Sequence, residues 1–214
     1  MFNKIVIASG PTLEPIDPVR FLSNRSSGKT GYHLAMEARV RDIGQITFIT
    51  GPTVYLPIQV ELIQVETAQE MRAAIGEHFR SSDVIIMAAA VSDYRSLKYY
   101  PEKMKKDSER ITLELVKNPD ILLELGLHKR KNQILVGFAA ESEDIFVNAQ
   151  KKLIAKNLDL LVLNEISEAN PAFGCDENQV YLVRPEGVRK LEKMNKAHIA
   201  AVIWDDIVSM AGGS

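Results

Sequence analysis

Val84-Ile85-Ile86-Met87-Ala88-Ala89-Ala90-Val91 is the longest apolar run in the chain, and its first four residues decide how the rest is read. A short, β-branched run with no polar alternation describes a strand buried on both faces, as central parallel strands are. Reading upstream, Thr67 and Glu70 form a capping box ahead of Met71, Ala74, Ile75 and Phe79, which share one helical face. Further up, Val60 to Val65, Ile46 to Thr50 and Lys4 to Ala8 have strand character, with a helix near Lys29 to Asp42. Downstream, Asn118-Pro119-Asp120 opens a helix, Ile134 to Phe138 and Leu158 to Leu163 are apolar runs, a helix lies between them near Ile145 to Lys156, and another runs from about Lys196 to Met210. Strands alternating with helices predict β-α-β units around a mostly parallel sheet.

Two stretches break this rhythm. In residues 92–117 a Tyr- and Lys-rich loop precedes Ile111, Leu113 and Leu115, whose alternation predicts a strand with one wet face, an arm suited to dimer contact. Residues 173–190 read as a hairpin, with Asn178 to Val183 as one strand and Pro185-Glu186-Gly187 as its turn.

Composition narrows the functional classes. At 214 residues, with 46% hydrophobic and 25% charged residues, the chain has an ordinary core and surface, expected to form one domain over residues 1–214. Twenty-eight acidic residues against 26 basic ones leave a net charge of -2, so no global field holds a nucleic acid or an anionic membrane, and any anion site must be local. Cys175 is the sole cysteine, which removes disulfide frameworks and Cys-rich zinc sites and fits a reducing compartment. No run approaches the ~20 residues of a membrane span, and the apolar segment at the N-terminus is too short for a signal peptide. A cytoplasmic location is expected.

Open α/β sheets bind ligands beyond the carboxyl ends of their strands. After the first strand, Ser9-Gly10-Pro11-Thr12 leads through Asn24 to Arg25-Ser26-Ser27-Gly28-Lys29-Thr30-Gly31 and a helix. Ser27, Gly28 and Gly31 there describe either a phosphate cradle on a helix N-terminus or an ordinary capped helix. Gly28-Lys29-Thr30 is no P-loop, since GxxxxGK[ST] requires Gly where Ser23 stands, and a GxGxxG fingerprint is missing too. After the Val84 run, Ala89 lets a ligand approach the backbone, and Asp93 suits a ribose hydroxyl, Mg²⁺ or a turn cap. Lys103-Met104-Lys105-Lys106 is either a solvated face or a cationic flap over a polyphosphate. Pro119, Asp120, Ile121 and Leu122 open a helix whose N–H groups suit a base or phosphate. Phe138 offers a face to an aromatic base or packs in the core. Lys152 and Lys156, four apart, share a helical face as solvent pairs or as two cations aimed at one anion. His33, His78, His128 and His198 show no metal-ligand spacing, so no protein-held metal site is expected.

Taken together, Gly10-Pro11-Thr12-x-Glu14-Pro15-Ile16-Asp17-Pro18-Val19-Arg20, Ser23-Asn24-Arg25-Ser26-Ser27-Gly28-Lys29, Ala89-Ala90-Val91-x-Asp93-Tyr94-Arg95, the KxKK of Lys103 to Lys106, Lys117 to Ile121, Gly137 to Glu141 and Lys156-Asn157-Leu158-Asp159 resemble the phosphopantothenoylcysteine synthetase (phosphopantothenate-cysteine ligase) family from the first strand to about Tyr181. The chain departs from that pattern at Ser92, where Ala is usual, and at Arg25 and Thr30. The resemblance implies a Rossmann-like α/β fold with helices on both faces of the sheet and a β arm or hairpin extension, in a separate synthetase without a fused decarboxylase. It also implies an enzyme that uses CTP and Mg²⁺ to join 4′-phosphopantothenate to L-cysteine through an acyl cytidylate, in coenzyme A biosynthesis; the arm over residues 92–117 makes a homodimer the expected assembly. By the same resemblance, Lys103 stabilises the transferring phosphoryl group and Asp93 contacts the nucleotide. Pro119 to Leu122 and Phe138 frame the cytosine, Lys152 and Lys156 hold phosphates, and Asn24 donates to the acyl oxygen.

Overall fold

The computed structural model describes residues 2–105, 109–167, 170 and 175–212. Its elements, in chain order, are β1 (Lys4–Ser9), β2 (Leu13–Pro15), β3 (Phe21–Ser23), α1 (Lys29–Val40), β4 (Gln45–Thr50), β5 (Glu61–Gln64), α2 (Ala68–Phe79), β6 (Val84–Met87), β7 (Tyr94–Ser96) and β8 (Leu115–Lys117). There follow α3 (Ile121–His128), β9 (Ile134–Glu141), α4 (Ile145–Ala155), β10 (Leu160–Glu165), β11 (Glu177–Asn178), β12 (Val180–Arg184), β13 (Gly187–Lys190), β14 (Met194–Asn195) and α5 (Lys196–Gly212).

One eight-stranded sheet dominates, in the order β13-β12-β10-β9-β6-β1-β4-β5. The six strands from β10 to β5 are parallel to their neighbours, while β12 and β13 pair antiparallel at one edge. Numbered among themselves along the chain, the parallel strands lie in the order 3-2-1-4-5-6, so the winding reverses between β1 and β6. This is the Rossmann-like α/β arrangement the sequence predicts, although β4 reaches β5 without a crossover helix.

The burial of both faces explains the unbroken apolar runs. In β1, Ile5 and Ile7 point to one side, where they meet Leu34 and Ala38 of α1 and Ile203 and Trp204 of α5. Val6 and Ala8 point to the other, among Met71 and Ile75 of α2, Leu125 of α3 and Leu153 of α4. Each of these large side chains contributes about 1.5–3 kcal/mol by leaving water. Trp204, fully buried, donates its indole N–H to the Leu34 carbonyl at 2.8 Å, which satisfies its polar atom and ties α5 to α1. At α2 the capping box is present: Thr67 Oγ1 accepts from Glu70 N at 3.2 Å, and Glu70 Oε2 accepts from Thr67 N at 3.1 Å.

The two irregular stretches differ in part from expectation. Ile111 and Leu113 lie outside any strand; only Leu115–Lys117 pairs, antiparallel with Tyr94–Ser96, and the contact ends with Leu97 N donating to the Glu114 carbonyl at 2.9 Å. The hairpin is present as β12 and β13, but it extends the main sheet, and Asn178 belongs to β11 instead. Lys106 and residues 173 and 174 of the expected motifs lie outside the described residues. Among the described residues no helix is long and apolar enough to cross a membrane.

Candidate functional site

A cavity of about 730 Å³ opens at the carboxyl ends of β1 and β6, where the strand order reverses. Its volume is within the range of small-ligand sites, and four pieces of chain build it.

The first piece is the start of α1. Gly28, the N-cap, has φ 77°, and a Cβ there would come within 2.9 Å of Thr53 Oγ1, so both conformation and space require glycine. Ser9 Oγ donates to the Gly28 carbonyl at 3.0 Å, and Thr53 Oγ1 donates to the Ser27 carbonyl at 2.6 Å, which pins the loop from behind. No side chain of the N-cap covers the helix end. The exposed N–H groups and the helix dipole there favour an anion. Ser26 and Ser27 hydroxyls make only long contacts, at 3.3 and 3.4 Å, to the N–H groups of Gly28 and Lys29.

The second piece is the loop after β6, zipped to the loop after β1. Ala90 N donates to the Gly10 carbonyl at 2.9 Å, Thr12 N donates to the Ala90 carbonyl at 3.3 Å, and Ser92 N donates to Thr12 Oγ1 at 3.0 Å. Asn24 bridges the same loops: its Nδ2 donates to the carbonyls of Ala90 at 3.1 Å and Val91 at 3.2 Å. Both amide hydrogens are therefore engaged, and Oδ1 is the group left for a ligand. Asp93 follows, exposed, its carboxylate without a hydrogen bond or ion pair among the described residues.

The third piece comes from the opposite face of the sheet. Pro119, Asp120, Ile121 and Leu122 at the start of α3 line the cavity with Phe138 of β9. Asp120 caps α3 by accepting from Leu123 N at 3.0 Å and pairs with Lys156 at 2.9 Å, while Lys152 pairs with Glu141.

The fourth piece, which the sequence did not single out, is Asn164 of β10, Asn178 of β11 and Lys196 at the start of α5. No local motif marks them; α5 reaches the site only because it packs on α1. Nearby, Lys29 pairs with Asp176, and the ion pair raises the lysine and lowers the carboxyl. Burial pushes Lys196 below its ordinary value, and Lys29 adds to the shift against the opposing pull of Cys175 and Asp176. Burial likewise lowers His33.

Among the described residues, five lysines (29, 117, 152, 156 and 196) line the cavity against two aspartates, Asp93 and Asp120. Positive side chains are thus gathered locally in a chain whose net charge is -2. Two expected residues are elsewhere. Gly31 does not line the cavity; a Cβ there would lie 2.2 Å from Ser9 Oγ, so its role is to let α1 pack against β1. Lys103 is exposed outside the lining, because its neighbour Met104 is held at the Asp17–Arg20 pair. Glu14, in the same loop as Asp17, is buried and accepts from Ala68 N at 2.9 Å, so it serves the start of α2. The described residues hold no cluster of three His, Cys, Asp or Glu fit for a metal ion.

Fold and site together define a Rossmann-like α/β protein with a lysine-lined crevice at its switch point. The chain belongs to the family described as DNA/pantothenate metabolism flavoprotein C-terminal domain, which it matches over residues 2–210. It is 43% identical over 210 residues to the coenzyme A biosynthesis bifunctional protein CoaBC of Bacillus subtilis (strain 168), covering 97% of this chain and 51% of that protein. It is 40% identical over 211 residues to a cysteine/cysteine sulfinic acid decarboxylase from an unknown prokaryotic organism, covering 97% of this chain and 58% of that protein. The chain thus spans little more than half the length of these curated relatives. The crystal structure of the C-terminal domain of CoaBC superposes with a TM-score of 0.83 at 37% identity, over 99% of this chain and 97% of that one.

Proposed function

We propose that the chain, as a single synthetase domain, is a CTP-dependent phosphopantothenate-cysteine ligase. A carboxylate oxygen of 4′-phosphopantothenate attacks the α-phosphorus of CTP, the α–β phosphoanhydride bond breaks, and pyrophosphate leaves with its electron pair. The amine of L-cysteine then attacks the acyl carbon, loses a proton, and forms the amide as CMP departs. The observation that carries this reading is the lysine-lined cavity at the β1–β6 reversal in a chain of net charge -2. Two unit charges 4 Å apart repel by about 4 kcal/mol at an effective dielectric constant of ~20, so a carboxylate and a triphosphate need cations and N–H donors to meet. The coenzyme A biosynthesis named for the CoaBC relative supports the substrate class, and the choice of CTP rests on the family resemblance.

In this reading Phe138 and Pro119 to Leu122 frame the base, Ala89 lets the nucleotide approach the backbone, and Lys152 and Lys156 exchange Glu141 and Asp120 for phosphate oxygens. Asp93 meets the ribose or a Mg²⁺ ion carried on the triphosphate; its unpartnered carboxylate fits such an ion. When bound, Mg²⁺ neutralises phosphate charge. Ser27, Gly28 and the first turn of α1 hold the phosphate of the acid. Asn24 offers Oδ1 to the incoming amine; donation to the acyl oxygen would require its carboxamide to leave Ala90 and Val91. Lys103 acts on the phosphoryl group, which requires the hold of Asp17 and Arg20 on Met104 to be released. Tyr94, Leu97, Tyr99, Ile111 and Leu115, all exposed apolar side chains of one segment, support a homodimer contact there.

The deciding experiment is a pyrophosphate-release assay with phosphopantothenate and each nucleoside triphosphate, with and without cysteine. Pyrophosphate should appear with CTP alone, and CMP only after cysteine is added. Release of a nucleoside diphosphate, or no phosphate product with any nucleotide, rejects the ligase reading.

A further inference from the structure

Lys196 stands apart from the other cavity lysines. It is only 7% exposed, yet its ammonium makes no hydrogen bond or ion pair among the described residues. Lys29, Lys152 and Lys156 have carboxylate partners, and Lys117 is exposed to solvent. Asp176, the acidic group beside Lys196, is engaged by Lys29. Cys175 and Asp176 attract this ammonium without a hydrogen bond to it, and an ammonium removed from water with no directly paired counter-charge is costly; the structure holds this one in place. Asn195 Oδ1 accepts from His198 N at 2.9 Å, which caps the start of α5, and Lys196 N donates to the Asp176 carbonyl at 3.1 Å.

We propose that Lys196 is the buried cation of a phosphomonoester subsite, completed by the uncapped first turn of α1, and that it selects the phosphorylated form of the acid substrate. This rests on the ligase reading for the identity of the acid but not for the presence of the anion site. Three features favour a phosphomonoester over a carboxylate or the triphosphate. The first turn of α1 supplies several N–H donors beside the Ser27 hydroxyl, matching three terminal oxygens and up to two charges. Lys196 and α1 approach from one face of the sheet while Lys152 and Lys156 approach from the other, so two anions are held without sharing cations. Val180 and Ile199 line the cavity on the α5 side, an apolar wall for a carbon chain carrying the phosphate. The phosphate that does not react thereby becomes a handle, and its fixed position sets where the carboxylate lies.

The test uses the full chain and the variants Lys196→Met and Lys196→Arg, with circular dichroism melts to establish that both fold. Lys196→Met should raise KM for phosphopantothenate by about 10- to 100-fold, the loss of a charge-assisted hydrogen bond, while KM for the nucleotide and for cysteine stays within twofold. The preference for phosphopantothenate over unphosphorylated pantothenate should fall by the same factor, and Lys196→Arg should restore part of it. Equal losses with both acids, or a fall in kcat with KM and preference unchanged, would overturn the proposal and assign Lys196 to proton transfer or to structure. Binding of inorganic phosphate, measured by calorimetry, should be present in the native chain and at least tenfold weaker in Lys196→Met. This measurement stands even if no ligase activity is found, and equal phosphate binding by both proteins, or none by the native chain, would also overturn the proposal.

Discussion

Asp17 and Met104, 87 positions apart, are joined side chain to backbone: Asp17 Oδ2 accepts from Met104 N at 3.2 Å. Arg20, ion-paired with the same carboxylate, donates from Nη2 to the Met104 carbonyl at 2.9 Å. Both backbone groups of Met104 are thus taken up, and the residue beside Lys103 is anchored. Burial alone would raise the Asp17 carboxyl. The N–H groups of Val19, Met104 and Arg20 and the Arg20 guanidinium outweigh it and hold the group well below its ordinary value of 3.8. A depressed carboxyl stabilises the folded state above its unfolded value and loses that contribution as pH falls toward the folded one. The stability gap between the native chain and Asp17→Asn should therefore be constant from about pH 5 to 8 and shrink below about pH 4, as read by urea unfolding across pH. A gap that grows on acidification would contradict the assignment. The variant should also speed tryptic cleavage after Lys103 and Lys105.

Lys103→Gln should leave the melting temperature unchanged, because the side chain is exposed, and abolish pyrophosphate release. Turnover at the native rate in that variant would remove Lys103 from the chemistry.

In Asn24→Asp a carboxylate faces the Ala90 and Val91 carbonyls in place of two N–H donors. Activation should continue while amide formation slows, so that acyl cytidylate builds up and is seen by mass spectrometry. If no intermediate accumulates and pyrophosphate release falls in step with product, Asn24 serves binding instead.

Gly31→Ala places a methyl group 2.2 Å from Ser9 Oγ and 2.5 Å from its Cβ. Overpacking of this kind costs about 1–3 kcal/mol, and denaturant unfolding should show it together with weaker phosphate binding as the start of α1 shifts. A variant as stable as the native chain would mean that α1 can move away from β1 freely.

Much of the architecture was legible because its signals are local. The Thr67–Glu70 capping box, the Val84–Met87 strand and the Asp120 cap all depend on residues within a few positions of one another. The predicted strand through Ile111 and Leu113 was not met, because alternation describes a surface a strand could present, whereas pairing needs a neighbour of matching length. Nor could the loop after β1 be apportioned by reading it: Glu14 supports α2, Asp17 anchors Met104, and Asn24 alone of these reaches the cavity.

The amino-acid sequence by itself determined the β-α alternation, the helix starts and the absence of a global positive field, so that any anion site has to be local, since hydrophobic periodicity, capping and net charge are properties of short segments or simple sums. Only the tertiary structure decided which cations form that site. Lys196 is 167 positions from Lys29 and carries no motif, yet packing of α5 on α1 brings both to the cavity, while the clasp on Met104 keeps Lys103 outside its lining. The physical reason is that burial and pairing of charge are set by which faces pack together, and those contacts link residues far apart in the chain.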